Sequence, residues 1–401
     1  MSTLTITTDA QAADATPLDP APLDETPSVD AVAERIMSAA LGWIDLMSIH
    51  VGSQLGWYRA LAASGAQGLT ADELAAVTAS SPRYAREWLE QQAASGLLGV
   101  ASDGSDESGA GESSTGDSGA EDHADEIGSG RRFRLDRATA EVLADGASLS
   151  FLEPLARMLA ASGERMPEII DAYRTGGGVS WERLGVHARE AQAEMNRPWF
   201  ERMPGVLADV PGVHDVLSRP GARIADVGAG AGWSSIELAH AHPQLRVEGF
   251  DIDEPSVRLA RENARAAGVA DRVTFHLEDA ARLADHGPFD AVFAFECLHD
   301  MPHPVTVLAA ARAAVIPGGP VIVMDEATAE QFSPDADELE RLLYGFSLFV
   351  CLPDGLSHPP SVGTGTVMRP STLRSYAREA GWTDVEVVVP EFGLWRFYRL
   401  H

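Results

Sequence analysis

Apolar and polar positions alternate with one period in the first half of the chain and with another in the second. From Val29 to about Ala63 apolar residues recur at helical spacing (Val32, Ile36, Ala39, Ala40, Trp43, Ile44, Met47, Val51), which predicts one or two long helices. A leading helix this apolar is expected to pack on a partner. Thr70 opens a capping box with Glu73 and starts a short helix to Val77. Ser81 caps a second helix, with Pro82 at its first position and Gly96 at its close. Short strands are expected at 97–100 and 132–135. Residues 137–215 read as mostly helical, interrupted by Tyr173-Arg-Thr-Gly-Gly-Gly-Val-Ser-Trp181, whose three glycines between aromatics point to a mobile loop near a ligand.

Beyond Gly221 strands and helices alternate. Strands are expected at 223–227, 246–250, 272–277, 289–295 and 321–324, with helices at 234–242, at 254–267 and up to Ala314. An antiparallel pair, 385–389 and 394–400, completes the sheet. A helix of about 335–350 carries Leu342, Leu343, Tyr344, Phe346 and Phe349, too apolar for a surface element and suited to roofing a pocket. The fold class that follows is α/β: a Rossmann-like, seven-stranded domain preceded by an α-helical one. The expected division is a disordered acidic tail at 1–28, a helical domain at 29–146 with a disordered insert at 102–130, a helical linker and lid at 147–215, and the sheet domain at 216–401.

Composition refines this picture. The formal charge is −30, from 60 acids against 30 bases, and every base is arginine. Residues 1–30 hold six acids and 102–130 hold nine, neither with a base, so half of the excess lies in two aromatic-poor segments. Such a field repels nucleic acid and anionic membranes. No apolar run is read as reaching the ~20 residues of a membrane span, and the first 30 residues lack the pattern of a signal peptide, which leads to an expectation of a cytoplasmic protein. Two cysteines make no disulfide framework, and no metal site is expected: His240 and His242 do not share a helix face.

The stretch carrying the most chemistry is RIADVGAGAGWSSIELAHAHPQLRVEGFDID, Arg223 to Asp253. Gly228, Gly230 and Gly232 form a tight strand-to-helix turn, and Asp251 ends the next strand, where such folds place an acid on ribose hydroxyls. Trp233 and Ser235 stand where a dinucleotide fingerprint needs glycine, and there is no phosphate-binding loop motif. The pattern D-x-G-x-G-x-G, led by Asp226, resembles motif I of the class I S-adenosylmethionine (SAM) methyltransferases. The resemblance implies SAM as cofactor, with Asp226 near its amino group, the glycine backbone facing its methionine part and Asp251, with Ile252 beside it, at the ribose. It further implies that Asp279 and Ala280 meet the adenine and that Glu296 joins the cofactor site.

Helix, turn, helix and ribbon between residues 70 and 135 describe a winged-helix unit. The wording SPRYAREWLEQQAASGLL resembles the N-terminal domain of actinobacterial-type winged-helix methyltransferases and, more distantly, of small-molecule O-methyltransferases. In those families the unit mediates dimerisation and walls the pocket, so a homodimer is expected. DNA reading through Arg83 and Arg86 is the alternative.

The segment CLHDMPHP resembles the HDW segment of plant natural-product O-methyltransferases, with Met301 in place of the tryptophan. That likeness makes His299 the candidate base for a hydroxyl acceptor, oriented by Asp300, Asp325 or Glu326. Trp181, Tyr344 and Phe349 are the candidate contacts of a hydrophobic or aromatic acceptor. Methylation at carbon or nitrogen, and a SAM-sensing DNA-binding regulator, are the alternatives.

Overall fold

A computed structural model describes residues 27–101 and 130–401; the expected acidic tail and acidic insert fall outside them except for Pro27, Ser28 and Gly130. The chain divides into two units, residues 1–45 and 46–401, each described on its own terms. Helix α1, Val29–Gln54, begins in the first unit and ends in the second. By length and composition it could cross a membrane, a correction to the reading that no run is long enough: Asp30, Glu34, Arg35 and Asp45 interrupt the apolar pattern without ending the helix. Within the first unit Ile36, Trp43 and Ile44 are exposed.

The second unit opens with α2 (Trp57–Ser64), α3 (Ala71–Thr78) and α4 (Pro82–Ala94), a ribbon of β1 (Gly99–Ala101) and β2 (Arg132–Arg134), and α5 (Arg137–Ala144). The capping box is formed: Thr70 Oγ1 accepts from Glu73 N and the Glu73 carboxylate accepts from Thr70 N. Ser81 precedes Pro82 as expected but its side chain makes no capping bond. Trp57, Tyr58, Leu61, Leu74, Leu89 and Phe133 form a closed core here. At Gly52 a Cβ would stand 2.3 Å from the Trp88 ring, so only glycine lets α1 lie this close to α4.

Helices α6 (Glu153–Glu164), α7 (Met166–Thr175), α8 (Trp181–Phe200, kinked at Gly185), α9 (Met203–Ala208) and α10 (Val213–Leu217) lead to the sheet. Its strands are β3 (Arg223–Val227), β4 (Arg246–Asp251), β5 (Val273–Leu277), β6 (Ala291–Phe295), β7 (Val321–Glu326), β8 (Val385–Phe392) and β9 (Trp395–Leu400). The order is β5-β4-β3-β6-β7-β9-β8, parallel up to β7, with β9 antiparallel to β7 and to β8. Helices α11 (Trp233–Ala241), α12 (Glu254–Ala266), α13 (Pro304–Ala314) and α16 (Pro370–Glu379) belong to this part, with α14 (Glu338–Phe346) and α15 (Leu352–Leu356) between β7 and α16.

Because strand side chains alternate in direction, each buried strand feeds two cores. Ile224, Val247, Phe275, Phe293 and Ile322 face one, with α11 and α12; Ala225, Val227, Phe250, Val292 and Val323 face the other, with α13 and α16. The order reverses between β3 and β6, which opens a crevice at the carboxyl ends of the central strands. The expected helix at 335–350 starts at Glu338 and runs on past 350, with one wider turn inside it. Asp337 caps α14, and the chain then widens through 347–351 into α15, which begins just before Pro353.

Candidate active site

The crevice is a cavity of about 770 Å³ walled by the glycine turn, the ends of β4, β5 and β6, and residues of α8 and α14. Gly228 and Gly232 both have positive φ, and each is also sterically required: a Cβ would fall 2.5 Å from Cys297 Cβ at the first and 2.5 Å from the Phe275 ring at the second. At Gly230 nothing lies within 4 Å of a Cβ position, and its amide donates to Asp251 Oδ2 at 2.8 Å. Asp251 Oδ1 accepts from Asp253 N at 2.8 Å, so one carboxylate fixes the glycine turn and the start of α12 together.

Asp226 lies beneath the turn, outside the cavity wall. Its Oδ2 accepts from Ser234 Oγ and Ser235 Oγ, each at 2.6 Å, while Oδ1 is buried without a partner. Burial raises its pKa to about 6 despite the two hydroxyls. Ile252, Asp279 and Ala280 are in the wall, and Asp279 also caps the following turn by accepting from Ala281 N at 2.8 Å. Glu296 holds a left-handed φ of 52°, rare for a side chain of its size, and is kept there by α8: Gln192 Nε2 donates to one carboxylate oxygen at 3.1 Å and Asn196 Nδ2 to the other. Burial raises the Glu296 pKa to about 7, with nearby His299 opposing the rise.

His299 sits in the turn after β6, buried, between three acids. Its Nδ1 is 2.9 Å from Asp325 Oδ1 and 3.1 Å from Glu326 Oε2, and its Nε2 is 3.3 Å from Asp300 Oδ1. Burial alone would depress the imidazole pKa, but Asp300, Glu326 and Asp325 outweigh it and hold it well above 6.5. Burial pushes Glu326 well above the ordinary carboxylate range, with His299 opposing it. β7 runs through both Asp325 and Glu326, and both reach the same ring nitrogen. His299, Asp300 and Glu326 line the cavity, whereas Asp325 stands behind them.

Comparison with known proteins fits this geometry. A family model described as a methyltransferase domain matches residues 218–350. Residues 218–350 are a methyltransferase domain. Among curated relatives, the chain is 38% identical over 108 residues to 27-O-demethylrifamycin SV methyltransferase of Amycolatopsis mediterranei, covering 27% of this chain and 39% of that one. It is 29% identical over 171 residues to a ubiquinone biosynthesis O-methyltransferase of Burkholderia pseudomallei, covering 42% and 67%. The chain thus spans well under two thirds of the first relatives it matches, 29% and 39% of their lengths. Solved structures match over nearly the whole chain. Mitomycin 7-O-methyltransferase matches with TM-score 0.64 and 20% identity over 93% of this chain and 98% of the other. Human N-acetylserotonin methyltransferase in complex with SAM matches with TM-score 0.58 and 18% identity over 94% and 99%. At those identities the likeness shows the fold, and that fold is the class I methyltransferase one expected from the sequence.

Around this methyltransferase domain the remaining candidates fall unevenly. Trp181 is in the cavity wall, and its amide donates to Asp354 Oδ1 at 2.6 Å. Tyr344 and Phe349 are not in the wall. Tyr344 Oη accepts from Arg369 at 3.0 Å, and Phe349 packs against the apolar cluster that includes Val179 and Leu184. Leu342, Leu343, Phe346 and Val350 supply the roof instead. The triple-glycine loop is tied down: Val179 N donates to Pro353 O at 2.9 Å, and Gly178 packs so closely on 353–357 that a Cβ would overlap backbone. Gln192, Asp354 and Cys351 join the wall unforeseen. The spacing of Gln192 and Asn196, four apart on one helix face, was the only available signal for the first.

Proposed function

We propose that the protein is a SAM-dependent methyltransferase that acts on a small, largely apolar acceptor at a hydroxyl oxygen. The observation that carries this is one cavity holding both a glycine turn braced by Asp251 and a buried imidazole flanked by three acids. The residues present suit the cofactor. Gly228 to Ala231 offer bare backbone to the cavity, Asp251 and Ile252 stand at the end of β4 for the ribose, and Asp279 and Ala280 at the end of β5 for the adenine. The orphaned Asp226 Oδ1 is an unspent acceptor below the turn. When bound, SAM supplies a methyl group already activated on a sulfonium. The chain's own task is to align the acceptor, exclude water and take up its proton.

Proton uptake falls to His299 in its neutral form, with Asp325 fixing Nδ1 and leaving Nε2 toward the cavity side with Asp300. Trp181, Trp199 and Phe346 give the acceptor apolar walls, and Gln192 and Asn196 hold Glu296 at the mouth of the glycine turn. One specific observation supports a second reading, methylation at nitrogen or carbon: Asp300, Glu326 and Asp325 favour the protonated imidazole, which weakens it as a base. A homodimer using the exposed apolar residues of α1 is part of the proposal; light scattering of the purified chain tests it.

The deciding experiment is incubation with radiolabelled SAM and a panel of phenols, acids and amines, using wild type and His299→Ala. Transfer to phenols that falls at least about a hundredfold in the variant, with SAM affinity retained, is expected. Undiminished turnover removes the oxygen-with-base mechanism. Calorimetry on Asp251→Ala should show SAM affinity at least about tenfold weaker, and unchanged affinity refutes the ribose assignment.

A further inference from the structure

A second cluster of metal-ligating side chains lies away from the residues invoked above. His276 on β5, Glu248 on β4 and His286 after the turn that follows β5 each place one ligand atom within 4.8 Å of the others. None of the three lines the cavity. Their rings clasp Phe250: His276 stacks on it at 4.7 Å, His286 meets it edge-on at 5.1 Å, and the two imidazole centroids are 4.9 Å apart. Each imidazole has its own carboxylate, with Glu248 Oε2 3.1 Å from His276 Nε2 and Glu278 Oε2 2.6 Å from His286 Nε2.

We propose that Glu248, His276 and His286 bind a borderline dication of the zinc type, with Glu278 holding His286 in place. The donor set is two imidazoles and a carboxylate, the combination that suits zinc, and a carboxylate beside a ligating imidazole is the usual orienting partner. The charges are arranged for it. Arg223 takes Glu248 Oε1 at 2.5 Å and Arg282 takes Glu278 Oε1 at 3.0 Å, so each carboxylate keeps its other oxygen toward an imidazole. Zinc ligands at about 2.1 Å from the ion are about 3.4 Å apart, so no pair has to close in by more than about 1.4 Å, and Glu248 Oε2 and His276 Nε2 are already near enough at 3.1 Å. The side chains are 20% (Glu248), 26% (His276) and 26% (His286) exposed, which leaves them room to turn. A fourth position remains for water. Sequence spacing hides the site, because His276 and Glu248 are 28 residues apart and meet only through the pairing of β4 with β5.

The test uses the full chain stripped with chelator. Calorimetry with Zn2+ should give one site per chain, and Co2+ should give the visible absorption of four-coordinate nitrogen–oxygen ligation. Affinity should fall at least about tenfold in the His276→Asn, His286→Asn double variant and in Glu248→Gln, while methyl transfer persists. Glu248→Gln is nearly isosteric and keeps the question answerable if circular dichroism shows the double variant misfolded. Failure to saturate at millimolar Zn2+, unchanged affinity in Glu248→Gln, or loss of binding in His299→Ala instead would each overturn the assignment.

Discussion

At the scale of single residues, the acids around His299 decide how the site responds to pH. The folded pKa of His299 lies well above 6.5, so the neutral imidazole becomes available only as pH rises through that raised value. Oxygen methylation at subsaturating acceptor should therefore climb with rising pH, as read from a kcat/KM profile. Asp325→Asn should move the inflection to lower pH and reduce the plateau, because it removes an acid that holds the proton and fixes Nδ1. Asp354 gives a stability test. Burial and Asp300 raise its pKa from 3.8 to about 8. Its contribution is fully present below the unfolded value and is lost progressively as pH rises through the folded one. Asp354→Asn, which can still accept from Trp181 N, should flatten the fall in Tm between pH 4 and pH 8 and melt a few degrees higher than wild type at about pH 8. Asp251 and His299 were legible in the sequence because each sits at a strand end, which topology delivers to the crevice. Asp354 and Gln192 were not, since helical residues far along the chain reach the wall only through packing.

At the scale of elements, α8 links the helical half to the sheet. Arg157 on α6 bonds Glu153 at 2.9 Å and Glu194 of α8 at 2.6 Å, all but closed off from water on the arginine side. Farther along, Arg189 of α8 bonds Asp253 at 2.9 Å and Ser256 at 3.1 Å, beside the carboxylate that braces the glycine turn. Truncating Arg157 to Ala leaves buried Glu153 uncompensated and should cost about 3–5 kcal/mol in urea unfolding, whereas Met in its place should cost less. The strands of the sheet were readable to within a few residues because buried parallel strands are continuous apolar runs. The helix at 335–350 was readable from its apolar periodicity, but the wider turn at 347–351 was not, because that periodicity persists across it. A hydrophobic stripe reports which side is buried, not whether the backbone stays regular.

For the whole molecule, charge is the dominant global quantity. With −30 formal charges and Arg83 paired to Glu87 at 2.5 Å, the helix–turn–helix portion should give no shift of random duplex DNA in a gel at physiological salt, with or without SAM. A salt-sensitive shift would reinstate the regulatory alternative. Helices α3 and α4 are joined by a turn and followed by a two-stranded ribbon, and Leu69 bridges to Phe133 beside them. The order of the strands has a further consequence in time. β7, which carries Asp325 and Glu326, is bounded on one side by β9, where Asp325 pairs with Arg396 and Glu326 with Trp395. On the ribosome β9 is the last of these strands to emerge, so until then the two acids stand on a sheet edge with an open flank. Under the proposed function, the two acids that flank His299 gain their second strand neighbour only once β9 has docked on β7.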